Sequence, residues 1–303
     1  MQTTSHLLMI RPVNFGFNEQ TAESNAFQSR SAEADVQNNA LKEFDAFVAL
    51  LRENGVDVTV IEDTPAPHTP DSIFPNNWIS FHDDGNIFLY PMQAENRRLE
   101  RRTDLIDQIR SRFKVNDINN LSHYEAENKF LEGTGSMVLD RDNKIAYACL
   151  SPRTNLDVLS SFCLQTGYRP VYFHSTDKNG KEIYHTNVMM CVGSKFVVIC
   201  LETITDETER DQVTNAIALT GKEMVEISFE QMNRFAGNML QVKNDKEELL
   251  VMSEQAYRAL LPEQVQKLEK YCRILHSSLN TIESNGGGSA RCMMAEIHLP
   301  KSN

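Results

Sequence analysis

The feature that most constrains this chain is a repeat. Within 33–54, Val36, Ala40, Phe44, Phe47, Val48 and Leu51 form a helical stripe that ends at Gly55, before the strand-like run VDVTVI. The same order recurs four times. A charged helix over 95–112 leads into the extended run after Phe113. Helices over 155–166 and 206–220 stop at Gly167 and Gly221, ahead of YRPVYF and KEMVEI, and a last helix within 262–271 passes Cys272 into RILH. The five exits, at 55, 113, 167, 221 and 272, are 58, 54, 54 and 51 residues apart. Between them lie the apolar strand candidates NWISF, IFLYP, GSMVLD, KIAYACL, NVMMCV, KFVVICL, NMLQV and ELLVM. One helix with about three short strands is a single supersecondary unit, here used five times. Five such units close on themselves, which protects the sheet edges and predicts an α/β propeller around a central cavity. The alternative is one α/β sheet with βαβ crossovers, where helix and strand alternate at similar lengths.

Composition narrows the partners. Acidic side chains outnumber basic ones by 42 to 30, a net charge of -12. That field repels phosphate backbones and anionic lipid, so neither nucleic acid nor a membrane is an expected partner. No apolar stretch reaches the roughly 18 residues of a bilayer span, and MQTTSHLLMIRPVNF lacks a signal-peptide pattern, so the expected location is cytoplasmic. The cysteines at 149, 163, 191, 200, 272 and 292 have no CxxC spacing, which argues against structural zinc and a disulfide framework. EGTG and NGGGS match neither a phosphate-binding GxxxxGK[ST] loop nor a dinucleotide GxGxxG. The cluster RRLERR, 97–102, reads as the solvated face of a helix.

Two local breaks stand out as sites. TPAPHTPDSIFPNNW, 64–78, is a loop fixed by four prolines, and NGGGSARC, 285–292, has three glycines before an arginine and a cysteine. Cys292 sits at the start of an apolar strand, where backbone N–H groups and the Arg291 charge could favour its thiolate, unless Arg291 points away. A buried core cysteine is the alternative; Cys272, with no such loop, is expected to be structural. His185, between TDKNGKEI and VMMCV, can hold and return a proton for a cysteine nucleophile, or be an ordinary polar residue at a strand mouth. Asn187 would share its face if the strand has begun by then. Glu132, in FLEGTGSMVLD, can orient an imidazole or accept N–H bonds from a planar nitrogenous substrate. Asp71 and Asn77 flank SIFPN and offer an acceptor and an amide, though a solvated turn accounts for them as well.

Taken in order, EGTGS, SPRTN, YHTN, RFAGNML and GGGSARCM resemble the pentein superfamily of guanidino-group-modifying enzymes: arginine deiminase, dimethylarginine dimethylaminohydrolase and the amidinotransferases. The likeness runs from RPVNFGFN through NGGGSARCMMAEI and looks nearest to the amidinotransferase-like, citrulline-utilisation branch. It implies a single pentein catalytic domain over 1–303, a five-unit ββαβ propeller with a central active site. It also implies Cys292 as nucleophile, His185 as acid/base and Glu132 as catalytic carboxylate. Arg153 of SPRTN matches an arginine that holds the substrate α-carboxylate, Asp71 falls in the loop at the reactive end, and Asn238 matches a position with an expected structural role. No metal or organic cofactor is implied, the partner is a small amino-acid substrate, and a homo-oligomer is left open.

Two departures shape the expected substrate. Arginine deiminases carry aspartates where this chain has Asn77 and Asn187, and those carboxylates grip a guanidinium cation. Amides bring donors and no charge, which suits the neutral ureido group of citrulline. Asparagine at the first position also occurs in succinylarginine dihydrolase relatives. The expected reaction is covalent hydrolysis through a thioester on Cys292, giving ornithine, ammonia and carbon dioxide from citrulline. The rivals are arginine deimination, amidino transfer to an amine, and a non-catalytic binding protein of the same fold.

Overall fold

The computed structural model describes residues 1–29 and 35–302. It contains five three-stranded sheets. In chain order their inner, middle and outer strands are Ala295–Glu296, His6–Arg11 and Asp57–Glu62; Ile79–Phe81, Asn86–Leu89 and Asp117–Asn120; Val138–Asp140, Ile145–Leu150 and Arg169–His174; Met190–Val192, Phe196–Ile199 and Glu223–Glu226; and Leu240–Lys243, Glu248–Ser253 and Arg273–Ser277. In every sheet the middle strand pairs antiparallel with the inner strand and parallel with the outer one. A parallel partner needs a crossover, and a helical segment supplies it each time. The first sheet takes its inner strand from the other end of the chain, with Leu7 opposite Glu296 and Leu8 opposite Ala295. The circle of five ββαβ units therefore closes.

The expected helices are present with informative differences. Val36–Glu53 buries Ala40, Phe44, Phe47, Val48 and Leu51, the stripe seen in the sequence; the first residues of the expected 33–54 helix lie outside the described residues. Leu156–Thr166 starts after Asn155, whose side chain accepts from the N–H groups of Asp157 and Val158, and stops at Gly167, which has φ 73°. That left-handed exit favours glycine and turns the chain directly into the outer strand. The helices Glu207–Leu219 and Pro262–Glu269 fall within their expected ranges. The expected helix over 95–112 is instead two, Glu95–Arg98 and Thr103–Arg110, because the chain between them turns Glu100 inward against Arg97. All six cysteines are unpaired and buried. Among the described residues, no helix is long and apolar enough to cross a membrane.

Candidate active site

Each unit places polar, chemistry-bearing residues just before its inner strand. Asn77 precedes Ile79–Phe81, Glu132 precedes Val138–Asp140, His185 and Asn187 precede Met190–Val192, Asn238 precedes Leu240–Lys243, and Cys292 precedes Ala295–Glu296. Because the five inner strands surround one axis, these segments converge at one end of it. Asp71, Asn77, Arg97, Arg153, His185 and Cys292 line a common internal cavity of about 10 Å³, roughly the room for one water. The segment 18–29 lies over it: Asn18 Nδ2 donates to Asp71 (2.7 Å) and Asn25 Nδ2 to the Gly286 carbonyl (3.3 Å).

Short helical turns aim the central pair. Glu132 leads into the turn Gly133–Ser136, and its N–H is held by Ser136 Oγ at 2.9 Å. His185 leads into the turn Thr186–Met189, and Thr186 Oγ donates to the Ser136 carbonyl at 2.6 Å, joining the two turns. Gly135 permits their approach to Asn77. A Cβ there would lie 2.5 Å from Asn77 Nδ2 and 2.8 Å from His185 Nδ1.

His185 Nε2 lies 2.8 Å from Glu132 Oε2, and Glu132 Oε1 accepts the Gln93 N–H at 3.0 Å. Burial alone would raise the Glu132 pKa, but Arg153 and His185, with Arg97 behind, outweigh it and hold the carboxyl at about 2. The same burial drives His185 down to about 4, against the pull of Glu132. An ionised carboxylate only accepts, so the proton of the neutral imidazole sits on Nε2 and Nδ1 is left as a free base. Cys292 Sγ is faced by two amide donors, Asn238 Nδ2 at 3.3 Å and Asn187 Nδ2 at 3.6 Å.

Asp71 is 2% exposed, and burial raises its pKa against the opposing influence of Arg97. Its Oδ1 has no hydrogen-bond partner. Arg153 donates to Ser24 Oγ (2.5 Å) and the Thr21 carbonyl (3.1 Å), lies 3.5 Å from Glu132, and stacks over Tyr184.

The sequence candidates Cys292, His185, Glu132, Asp71, Asn77, Arg153 and Asn187 thus meet in one place, and three expectations change in detail. Arg97 is not on a solvated face: it is 2% exposed, paired with Glu100 through two bonds of 2.9 Å, and donates to Asn77 Oδ1 at 2.8 Å. Asn187 does not share a strand face with His185, since the strand starts only at Met190; it reaches the sulfur from a helical turn. Asn238 supports the site, accepting the Arg291 N–H at 3.0 Å, and also touches Sγ itself. Arg291 points away from the thiol, toward Glu296.

Five ββαβ units with their polar residues gathered where the inner strands begin make this a pentein, a member of the superfamily of guanidino-modifying enzymes. More narrowly, the family described as N,N dimethylarginine dimethylhydrolase, eukaryotic, matches residues 11–299, and the chain belongs to it. No curated protein matches the chain in sequence. Among solved structures it is similar to the N-terminal domain of ArgZ, an arginine dihydrolase of the ornithine-ammonia cycle in cyanobacteria, solved with substrate as a cysteine-to-serine variant. The TM-score is 0.76 at 16% identity, covering 97% of this chain and 98% of that one. It is also similar to AgrE in complex with L-arginine, at TM-score 0.76 and 15% identity, covering 98% of this chain but 41% of AgrE. A third likeness is to dimethylarginine dimethylaminohydrolase from Pseudomonas aeruginosa complexed with citrulline, at TM-score 0.67 and 16% identity, covering 97% and 100%.

Proposed function

We propose that the protein hydrolyses citrulline to ornithine, ammonia and carbon dioxide, with residues 1–303 acting as one catalytic domain in the cytoplasm. The observation that carries the choice of a ureido over a guanidino substrate is the bond from Arg97 to Asn77. A guanidinium only donates, so the Asn77 atom it meets at 2.8 Å is the carbonyl oxygen. The amide N–H₂ is then what Asn77 offers elsewhere, and one of its hydrogens goes to Asn76 Oδ1 at 3.0 Å. A guanidinium head would set donor against donor here, at a cost of about 1–3 kcal/mol. A ureido carbonyl accepts instead, while the ureido N–H groups suit the unpartnered Asp71 Oδ1.

In this reading neutral His185 takes the Cys292 proton, and the thiolate, steadied by Asn187 and Asn238, attacks the ureido carbon. One C–N bond breaks as His185 returns the proton to the departing nitrogen, leaving a thioester on Cys292. His185 then deprotonates a water that releases the carbamate, which loses carbon dioxide. One water is consumed overall. Arg153 binds the substrate carboxylate in place of Ser24 and Thr21, and the substrate enters when the 18–29 cover lifts, since an amino acid far exceeds the present cavity.

The test is to supply citrulline, arginine and methylated arginines separately and measure ammonia and amino-acid products, for the wild type and for Asn77→Asp. Ornithine from citrulline with no arginine turnover is expected, with citrulline kcat/KM falling about 10²-fold in the variant. Efficient arginine turnover by the wild type would overturn the ureido assignment.

A further inference from the structure

The nucleophile follows three glycines, which contribute no side chain to hold their own loop. Two protein groups from elsewhere touch the backbone there: Tyr184 OH donates to the Gly287 carbonyl at 2.6 Å and Asn25 Nδ2 to the Gly286 carbonyl. Glu283 does more, because it grips both sides of the glycine run. Its backbone carbonyl accepts the Gly287 N–H at 2.9 Å, and its Oε1 accepts Ser289 Oγ at 2.6 Å. Ser289 in turn accepts the Cys292 N–H on its carbonyl at 3.0 Å, closing the turn that carries the sulfur. Glu283 and Ser289 are 3% and 0% exposed, and Gln255 Nε2 fixes the second carboxylate oxygen at 3.1 Å.

We propose that Glu283 is a positioning residue for the nucleophile: through Ser289 it fixes the Cys292 turn so that Sγ stays against the amides of Asn187 and Asn238. The inference rests on the reading of Cys292 as the reacting group. A small displacement of a nucleophile costs much of its rate. Burial pushes the Glu283 carboxyl up to about 7, with Ser253 and Ser289 opposing the rise. A neutral acceptor in the same place should therefore keep most of the effect.

The test uses Glu283→Ala, Glu283→Gln, Ser289→Ala and the Ala/Ala double variant, read in two ways. One is kcat and KM with citrulline. The other is the rate at which iodoacetamide alkylates residue 292, followed by mass spectrometry, which needs no substrate. Glu283→Ala and Ser289→Ala should each lower kcat and the alkylation rate about tenfold or more, with KM within about twofold. The double variant should be no worse than either single one, and Glu283→Gln should retain most of both rates. If Glu283→Ala fails to fold, the smaller Ser289→Ala change carries the test. Wild-type kcat and alkylation in Ser289→Ala, or multiplicative losses in the double variant, would overturn the proposal. Loss of the alkylation rate in a protein that never turns over citrulline would uphold it while refuting the substrate assignment.

Discussion

The inner strands have a buried cluster at each end, and the two are made of the same residue types. At their beginnings stand Glu132, Arg153 and His185, with Arg97 behind; at their ends stand Glu296, Arg141 and His298, with Arg291 beside them. In both, burial opposes ionisation of the carboxyl and two arginines together with the histidine overcome it, so both glutamates are held below their ordinary range. Both imidazoles are driven down to about 4, burial being the largest cause. Both border a small cavity with a thiol, Cys191 lying beside Arg291 and Glu296 at the second, but only at the first do amide donors face the thiol and a carboxylate oxygen lie without a partner. In the second, Arg291 is spent on Glu296 at 2.5 Å and on the Met294 carbonyl at 2.8 Å. A glutamate, an arginine and a histidine thus serve as structural glue in one place. They become a candidate for chemistry where amide donors face the thiol and a carboxylate oxygen beside it has no partner.

Removing the thiol beside the first cluster and the carboxylate of the second separates the two roles. Cys292→Ala should lower turnover at least ~10⁴-fold and abolish any covalent adduct seen by intact-mass measurement, with thermal stability little changed. Retained turnover would strip the first cluster of its distinction. Glu296→Gln should act in the opposite sense. It leaves Arg141 and Arg291 buried without their counter-charge, so unfolding free energy in urea should drop by about 3–5 kcal/mol. The folded fraction should keep KM, and kcat should fall by less than about tenfold. A Glu296→Gln protein as stable as wild type would mean that the arginines find other partners.

The repeat was legible because each helix exit is local: a glycine or a short turn followed by an extended run. The outer strands start at 57, 117, 169, 223 and 273, each within four residues of its exit. The order of the site residues was legible too, since each unit delivers them at the same point, before its inner strand. Arg97 was hidden for a physical reason. RRLERR has the look of a solvated face, but Leu99 is the exposed residue, at 51%, while Arg97 and Glu100 turn inward to meet the 71–77 loop. Local periodicity assigns charged groups to solvent and contains no information about a buried counter-charge brought by the same tertiary turn. Asn238 and Asn187 share that limitation: their contacts with Sγ depend on where three units meet, not on spacing within any one. Glu283 gave no signal, being an ordinary acidic residue in a helix until Ser289 folds back onto it.

The likeness between the two clusters also predicts how stability responds to mild acid. His185 and His298 titrate near 4 in the folded protein, and His82 is held well below its ordinary range, first by burial and then by Arg141. In the unfolded chain each takes a proton near 6.5. Between those values each of the three rings binds more protons when unfolded, so their contribution to stability rises with pH across that window. That contribution is flat above about 6.5 and falls as the pH drops toward 4, while Glu100 and Glu283, both pushed up to about 7 by burial, and Asp71, also raised, contribute in the opposite sense from about 7 down to about 4.5. Glu132 has the opposite reference: its contribution is intact above about 4.5 and is lost only as the pH falls toward 2, below the histidine window. Urea unfolding at pH 7.5, 6 and 5 for the wild type, His298→Asn and His185→Asn checks the sign and the shares of the rings by difference. Each substitution removes one imidazole that resists protonation, so each should make the slope of stability against pH less positive by a similar amount if the clusters are electrostatic equivalents. Only His185→Asn should also abolish turnover, because the two rings differ in what they face rather than in how strongly burial holds them neutral.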